Sequence, residues 1–595
     1  MNDLRNLLKQ NVGYIMTGRP AIAWVVSVIM VLTFDVMWCG VTTFRAMSFV
    51  PTYLFALLAA TLVSAPAAMA PRRPWLQLGL WLIVAGVMAA NIMYFRTYFS
   101  AIPASGYLMA GNLIDFRSSV ADSFSATDLL PAIEAVAGYV AMRRLPAGRR
   151  VVAQWSAAVG VTCFLAWVSS LPYGGVTEHV HALKQECYYA NCPPAIYTLA
   201  GPLAVELTTR TKAVTPRELN DVAEWRAEHD KRYPAPDPDS LMPRRRSLVI
   251  VFLESLETWP IGLEIEGQKV TPFLDSLISA PTTTYVPNLV TQVGAGRSID
   301  AQLLMLAGML PMEGDVAAMS RPDNTYHTLP KAMKAAGARR TYLLTGDKAG
   351  VWNQARFARS FGIDSLLDAG NWTMTEKIGN PPKLADGALF SQTAEKMKAG
   401  EIFPEGESAY VHIVGYSGHN PWMIPRERQS LHLDGTYPPK FADYLTAVNY
   451  VDGALRPLIG YLISRSDSDD MMIAITGDHE GLASYRKAMC ADAATASIVD
   501  RTEHTPLIIL NSPAPGVYGQ EAGQVDVYTT LVNLMGLRDY PWRGMGVSVT
   551  DPTHPGSAVG RDGTGSRDPH FIDARRISDI IIRHNLLDEA DKMAE

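Results

Sequence analysis

The stretch "ITGDHEGLASY", residues 475–485, sets Asp478 and His479 side by side at the end of an apolar run, shortly before Gly481. A carboxylate beside an imidazole offers two metal ligands or an acid–base couple, although a single such pair is more often a capping or surface pair. Three other apolar runs end in a similar way. "VIVFL" leads into Glu254, "TYLL" into the Thr345–Gly346–Asp347 turn, and "VHIVGYSG" into His419. Glu, Asp and His together form a hard-to-borderline ligand set suited to Mn²⁺, Mg²⁺ or Zn²⁺, with no thiolate required. A hydroxyl nucleophile is available in "TQVGAGRSIDAQL", residues 291–303, where Gly294, Ala295 and Gly296 make a small-residue turn before Arg297 and Ser298. Ser298 has two readings. It is an N-cap of the helix "SIDAQLLMLAGML", or a hydroxyl whose pKa the helix N-terminus and a cation lower until it can attack phosphorus. The flanking glycines would also let backbone N–H groups approach an anion.

Such residues need a scaffold that brings them together. "SLVIVFLES", "RTYLLTG", "AYVHIVGYS", "MMIAITGDHE" and "TPLIILN" read as buried strands, with helical segments such as 326–337 and 440–464 between them. Strands alternating with helices predict a mostly parallel α/β sheet. Polar residues at the C-terminal strand ends of such a sheet line its ligand crevice, so the chemistry is expected along one sheet edge. This domain is read as 247–549. Residues 550–595 follow as a Gly/Pro/Ser-rich loop and a terminal helix. A linker at 172–246 precedes it, charged and then Pro-rich in "RYPAPDPDSLMPRRR".

The 595 residues are 48% hydrophobic with mean hydropathy +0.05, and the apolar excess lies at one end. Five stretches up to residue 171 are long enough to cross a bilayer: 21–43, 51–70, 75–95, 127–143 and 151–171. Asp35 lies in the first, inside the bundle or near the headgroups, and Glu134 lies in the fourth. Arg5, Lys9, Arg19, Arg72, Arg73, Arg143, Arg144, Arg149 and Arg150 fall on one side of these spans. The positive-inside rule then places residues 1–20 in the cytoplasm and the catalytic domain outside, periplasmic or extracellular. The net charge of −6, with no basic run longer than Arg244–Arg246 beyond the spans, gives no footprint for nucleic acid. Cys187 and Cys192 in "ECYYANC" are close enough for a local bridge. Cys39 and Cys163 read as apolar packers in spans, and Cys490 has no evident partner.

Six segments in order, "FLESLETW", "GAGRSIDAQLLML", "DNTYHTLPKAM", "WNQARFARSFGID", "SGHNPW" and "GDHEG", resemble those of lipoteichoic acid synthases and related phosphoglycerol transferases. The resemblance covers nearly the whole chain. It implies a five-helix membrane domain, a linker, and an extracytoplasmic α/β/α domain of the alkaline phosphatase/sulfatase superfamily. Carried over by position, it implies that Glu254, Ser298, Asp478 and His479 hold a divalent metal, Mn²⁺ first, and that Ser298 is the nucleophile. His419 would bind the phosphoryl group or donate a proton to the leaving oxygen. Trp352 and Asn353 match the family's Trp-Asn, with Trp352 walling a glycerol pocket or serving as a core aromatic, and Arg297 and Asp347 fall on the substrate side.

Three positions depart from the family pattern. Ser298 stands where Thr is usual, Thr345 where a substrate-binding His is expected, and Gln354 where an Arg follows Trp-Asn. Arg356 and Lys348 are the nearest cations that could supply the missing charge. The implied reaction moves glycerol phosphate from a phospholipid, phosphatidylglycerol, through phosphorylated Ser298 to a glycan or glycerolipid acceptor. Water as acceptor would make a phosphodiesterase, a phosphoethanolamine transferase shares the architecture, and an inactive membrane sensor or scaffold is the alternative of another class. Sulfatase chemistry is disfavoured, because it uses a formylglycine made in a C/S-x-P-x-R context and Ser298 is followed by Ile299, Asp300 and Ala301. His504, in "RTEHTPLIIL", reads as a polar residue at a strand edge, or by resemblance to the sulfatase superfamily as a His near the site, the first being favoured.

Overall fold

The computed structural model describes residues 18–42, 47, 49–98, 101–102, 104–107, 123–173, 213–234, 247–379, 382–482, 485–537, 540–561 and 563–587. Cys187 and Cys192 lie outside them. The chain forms two compact units, a helical one drawn from residues up to 211 and an α/β one from residue 212 onward.

The helical unit contains α1 (Arg19–Thr42), α2 (Val50–Val63), α3 (Pro74–Tyr98), α4 (Leu130–Arg143) and α5 (Val152–Ser170). Helix α1 packs on α2, α3 and α4, and α2 packs on α5. Among the described residues, three segments are long and apolar enough to cross a membrane unaided: Arg19–Val41, Pro74–Arg96 and Val152–Ser170. The other two expected spans form shorter helices. Pro66 has no N–H for the Leu62 carbonyl, and the second span breaks at Ser64 into the 14 residues of α2 and the 5 of Ala65–Met69. The fourth is 14 residues long, entered through a 3₁₀ turn at Ala126–Leu129 whose capping box joins Ser125 and Asp128.

Of the 29 exposed large apolar residues among those described, 24 lie at or before Leu171, which gives this unit the surface of a body solvated by lipid. Asp35 is fully buried within the bundle. Glu134 accepts a 2.7 Å hydrogen bond from Thr33 of α1, so both acids inside the apolar segments face protein. Arg19 donates to the carbonyls of Pro71, Met142 and Leu145 at 3.0–3.2 Å, gathering the chain start and the two Arg-rich turns at one end of the bundle.

The α/β unit begins with α6 (Pro216–Arg232), capped by Thr215 and Glu218, and is built on nine strands. These are β1 (Ser247–Leu253), β2 (Thr284–Val290), β3 (Arg340–Thr345), β4 (Ser365–Leu367), β5 (Ala409–Val414), β6 (Met471–Gly477), β7 (His504–Leu510), β8 (Gly516–Val517) and β9 (Ala522–Gly523). Their spatial order is β8-β2-β7-β6-β1-β5-β3-β4, with β9 also on β2. From β6 to β4 every pair is parallel, as expected, whereas β7 runs antiparallel to both β6 and β2. Strand β2 escapes a pattern search because Pro287 and Asn288 interrupt "TYVPNLV"; β7 pairs it all the same.

Both faces of the sheet are covered. Leu248, Ile250 and Phe252 of β1 enter one core, while Val249, Val251 and Leu253 enter the other. A strand buried on both sides has to be apolar throughout, which is why "SLVIVFL" shows no alternation. Helix α7 (Ser298–Ala307) packs in the first core and α8 (Pro439–Ala454) in the second. The expected single helix over 440–464 is two, because Pro457 opens a second one at Arg456–Ser464. Helix α9 (Pro569–His584) adds Ala574, Ile577 and Ile580–Ile582 to the first core, and α6 adds Val222 and Trp225. The unit thus extends past both expected limits of the catalytic domain, 247 and 549. Sequence periodicity marks α6 and α9 as amphipathic but not the core they join.

Candidate active site and metal centre

Strands β6 and β1 pair with Gly477 opposite Leu253, so Asp478 and Glu254 leave adjacent strands at the same level. On the other side of β1 follow β5, whose continuation carries His419, and then β3, which ends in the turn holding Asp347. The sheet edge therefore presents Asp478–His479, Glu254, His419 and Asp347 in that order. Ser298 arrives from beyond β2 at the start of α7. Two glycines permit the close approach: a Cβ at Gly477 would lie 1.9 Å from the Leu256 carbonyl oxygen, and one at Gly418 1.9 Å from that of Glu254.

Ser298 is the first residue of α7, and its side chain makes no cap bond, because Arg297 holds the cap position. Its Oγ lies 3.2 Å from Glu254 Oε2 and 3.3 Å from His479 Nε2. His479 Nε2 is in turn 3.3 Å from Glu254 Oε1 and 3.5 Å from Asp478 Oδ2. Such spacings suit atoms that share one divalent ion at about 2.0–2.2 Å. Asp478 Oδ1 accepts from the Ser255 and His479 amides at 2.8 and 2.9 Å, while the buried Oδ2 accepts no hydrogen bond. An orphaned carboxylate oxygen facing a second carboxylate is costly unless a cation joins them. Burial raises both acids. At Glu254 the facing His479, helped by His419 and the Ser255 hydroxyl, reverses this and holds the group low, whereas Asp478 is pushed further up by the Glu254 charge. The residues fit a divalent metal.

The surrounding groups orient this set. Arg297, in the left-handed region at φ +50°, pairs with the buried Glu480 carboxylate and donates to its carbonyl at 3.1 Å. Arg561 holds the same carboxylate at 2.7 Å. His479 Nδ1 lies 3.0 Å from both the Glu480 carbonyl and Arg297 Nη2, so the protein engages that nitrogen and Nε2 is the one turned to the ligand cluster. Arg297, expected on the substrate side, thus rests on the metal set's support. The amides of Gly294 and Gly296 donate to Asp300 at 3.0 and 2.8 Å, so the chain's own carboxylate takes the anion place in that turn.

His419 is half-buried, stacks on Tyr416 at 5.1 Å, and has Nδ1 2.6 Å from the Asn420 carbonyl. Its Nε2 is therefore the nitrogen that can exchange a proton with a substrate. Burial lowers its pKa, with the Glu254 charge opposing. The loop carrying it is held by Asp386, which accepts from the Tyr416 and Ser417 amides at 2.7 and 3.1 Å.

The remaining predicted residues fall as follows. Trp352 packs against the first core at φ +50°, and Asn353 donates to the Ala318 carbonyl at 3.0 Å. Gln354 pairs with Gln302 at 3.0 Å. Arg356 joins Asp323 in a half-exposed ion pair, and Lys348 is exposed. Asp347 is clasped by Lys383, which is 8% exposed, with Nζ 2.8 Å from each carboxylate oxygen. Lys383 was missed, because nothing in "NPPKLADG" sets it apart from a surface lysine. Glu257 was missed too; it accepts from the Gly481 and Leu482 amides at 2.6 and 2.9 Å and steadies the turn after His479. His504 lies 2.8 Å from Asp500, at the strand edge as expected.

Residues 246–537 match the Sulfatase family. The chain is 23% identical over 517 residues to a lipoteichoic acid synthase of Staphylococcus saprophyticus, covering 83% of this chain and 77% of that protein. It is 26% identical over 317 residues to the lipoteichoic acid synthase of Staphylococcus aureus, covering 52% of this chain and about half, 48%, of that one. Among solved structures, lipooligosaccharide phosphoethanolamine transferase A of Neisseria meningitidis aligns over 87% of this chain and 96% of its own, with a TM-score of 0.54 at 14% identity, a likeness of fold. Residues 246–537 are therefore a sulfatase-family domain, and the chain is an enzyme similar to lipoteichoic acid synthases.

Proposed function

We propose that the chain is a membrane-anchored, metal-dependent phosphoglycerol transferase that moves glycerol phosphate from phosphatidylglycerol to an extracytoplasmic glycan or glycerolipid. The observation that carries this reading is the Ser298 hydroxyl, 3.2–3.3 Å from Glu254 and His479 at a helix start, with His419 on the next strand over. Glu254, Ser298, Asp478 and His479 would hold the ion, Mn²⁺ by family resemblance, and its charge would favour the ionised hydroxyl and offset charge developing on the phosphoryl oxygens. In the first step Ser298 loses its proton to solvent and its oxygen bonds to phosphorus. The bond to the diacylglycerol oxygen breaks, and that oxygen takes a proton from His419 once the phosphodiester anion has drawn one onto Nε2. In the second step His419 Nε2 accepts the proton of an acceptor hydroxyl, whose oxygen displaces Ser298.

The end of the bundle that collects Arg19 and the two Arg-rich turns would face the cytoplasm, with five crossings and the catalytic unit outside. Anchoring keeps the site at high effective concentration beside a lipid donor. The fold likeness to a phosphoethanolamine transferase favours one second reading, phosphoethanolamine as the transferred group.

Purified protein with Mn²⁺ and liposomes of phosphatidylglycerol or phosphatidylethanolamine separates these by release of labelled diacylglycerol. Release from phosphatidylglycerol is expected, falling roughly a thousandfold or more in Ser298→Ala. Release from phosphatidylethanolamine alone would establish the second reading. Equal release by Ser298→Ala would remove that residue as nucleophile.

A further inference from the structure

The substrate side of the crevice contains a buried cation that the catalytic steps above leave unused. Lys383 sits on a two-residue strand, Lys383–Leu384, brought against the end of β3 because Gly346 has no side chain; a Cβ there would lie 3.3 Å from both the Cβ and the carbonyl oxygen of Leu384. The ammonium meets both oxygens of Asp347 at 2.8 Å and lies 4.5 Å from the centre of the Tyr416 ring. Tyr416 stacks on His419, and the Lys383 charge is close enough to oppose protonation of that imidazole. Lys383, Asp347, Tyr416 and His419 thus form one cluster, from β3 to the loop after β5.

This arrangement changes what the pocket can bind. Without Lys383, Asp347 at the end of β3 would offer an anion to a positively charged head group. With Lys383 on both its oxygens, the carboxylate is neutralised, and an incoming ammonium meets a fixed positive charge in a poorly screened place. An uncharged hydroxyl meets no such penalty, because a carboxylate has about four acceptor positions, of which Lys383 occupies two and the Lys348 amide a third. We infer that Lys383, by clasping Asp347 and packing on the Tyr416 ring that stacks on His419, makes the site accept an uncharged polyol head group and reject an ammonium one. This rests on the phosphoglycerol reading and assigns its selectivity to one residue outside the reacting groups. Arg356, the cation suggested by sequence proximity, is instead paired with Asp323.

The test compares wild type, Lys383→Met and Lys383→Gln with Mn²⁺ on liposomes of phosphatidylglycerol or of phosphatidylethanolamine. Mn²⁺ binding by calorimetry confirms in each variant that the site is formed. A loss of at least about tenfold in the ratio of kcat/KM values, some 1.4 kcal/mol, is expected in both variants. An unchanged ratio in variants that bind Mn²⁺ would overturn the inference and leave the donor assignment standing. Wild-type release from phosphatidylethanolamine only would overturn that assignment and this inference together. A measurement on wild type keeps the question open to refutation should neither variant fold. Soluble sn-glycerol 1-phosphate is expected to inhibit at least about tenfold more tightly than phosphoethanolamine; equal inhibition would overturn the inference.

Discussion

Asp478 does two separable tasks with its two oxygens. Oδ1 is fixed by the Ser255 and His479 amides, and Oδ2 faces the ligand cluster. An amide replacement keeps an acceptor for the first task and removes the charge from the second. Asp478→Asn is therefore expected to weaken Mn²⁺ binding about a hundredfold or more in calorimetric titration, with a melting temperature in the absence of metal at or above that of wild type. The second expectation follows from burial, which already makes the ionised acid costly. A variant that binds Mn²⁺ as wild type does would remove Asp478 from the metal set. Ser298 shows how one residue can satisfy two sequence readings unequally. It starts a helix, as an N-cap serine would, but the hydroxyl goes to Glu254 and His479 because Arg297 occupies the cap position.

Helices α6 and α9 meet through a stack of rings. Trp225 lies 4.5 Å from His570 and 4.9 Å from His229, and the two imidazoles approach to 3.0 Å through Nδ1 and Nε2. Two imidazoles can share that contact only if at least one is neutral. Burial, followed by the His570 charge, pushes His229 down to about 4, while an unfolded chain titrates it near 6.5. Between those values the unfolded chain holds the extra proton. Stability from this contact is thus complete above about pH 6.5 and is lost as pH falls toward 4, by at most about 3 kcal/mol. Thermal denaturation at pH 7.5 and pH 5 is expected to show this loss, and His229→Phe to reduce it. An unchanged pH slope in that variant would place the acid sensitivity elsewhere.

The α/β unit has its own two-sided core, and α6 and α9 close it. A fragment of residues 213–587 is therefore expected to fold alone, melt cooperatively and bind Mn²⁺ as the full chain does. Under the proposed reaction, removing the helical unit takes away the anchor that would keep the fragment beside a lipid donor. Diacylglycerol release from liposomes is expected to fall about tenfold or more, while turnover of a short-chain soluble phosphatidylglycerol stays within about threefold. Equal release from liposomes by fragment and full chain would show that anchoring does not set the rate.

Strand ends and pattern breaks were legible without coordinates. The continuous apolar runs before Glu254, His419 and Asp478 announced strands buried on both faces, and a parallel sheet exposes the residues at its C-terminal strand ends. That local physics, with the resemblance to a known family, was enough to nominate Glu254, Ser298, Asp478 and His479. Strand β2 was hidden because Pro287 and Asn288 spoil its pattern while long-range pairing with β7 stabilises it. The second and fourth apolar stretches are long enough as sequence, yet Pro66 divides one and a 3₁₀ turn begins the other, so length alone misjudged their helices. The largest illegible part is the charge pattern around the site. Arg297 meets Glu480 across 183 positions and Lys383 meets Asp347 across 36. Sequence spacing determined which groups lie at strand ends; only tertiary packing decided which buried charge neutralises which, because that depends on the separation of atoms in space and on the water excluded between them.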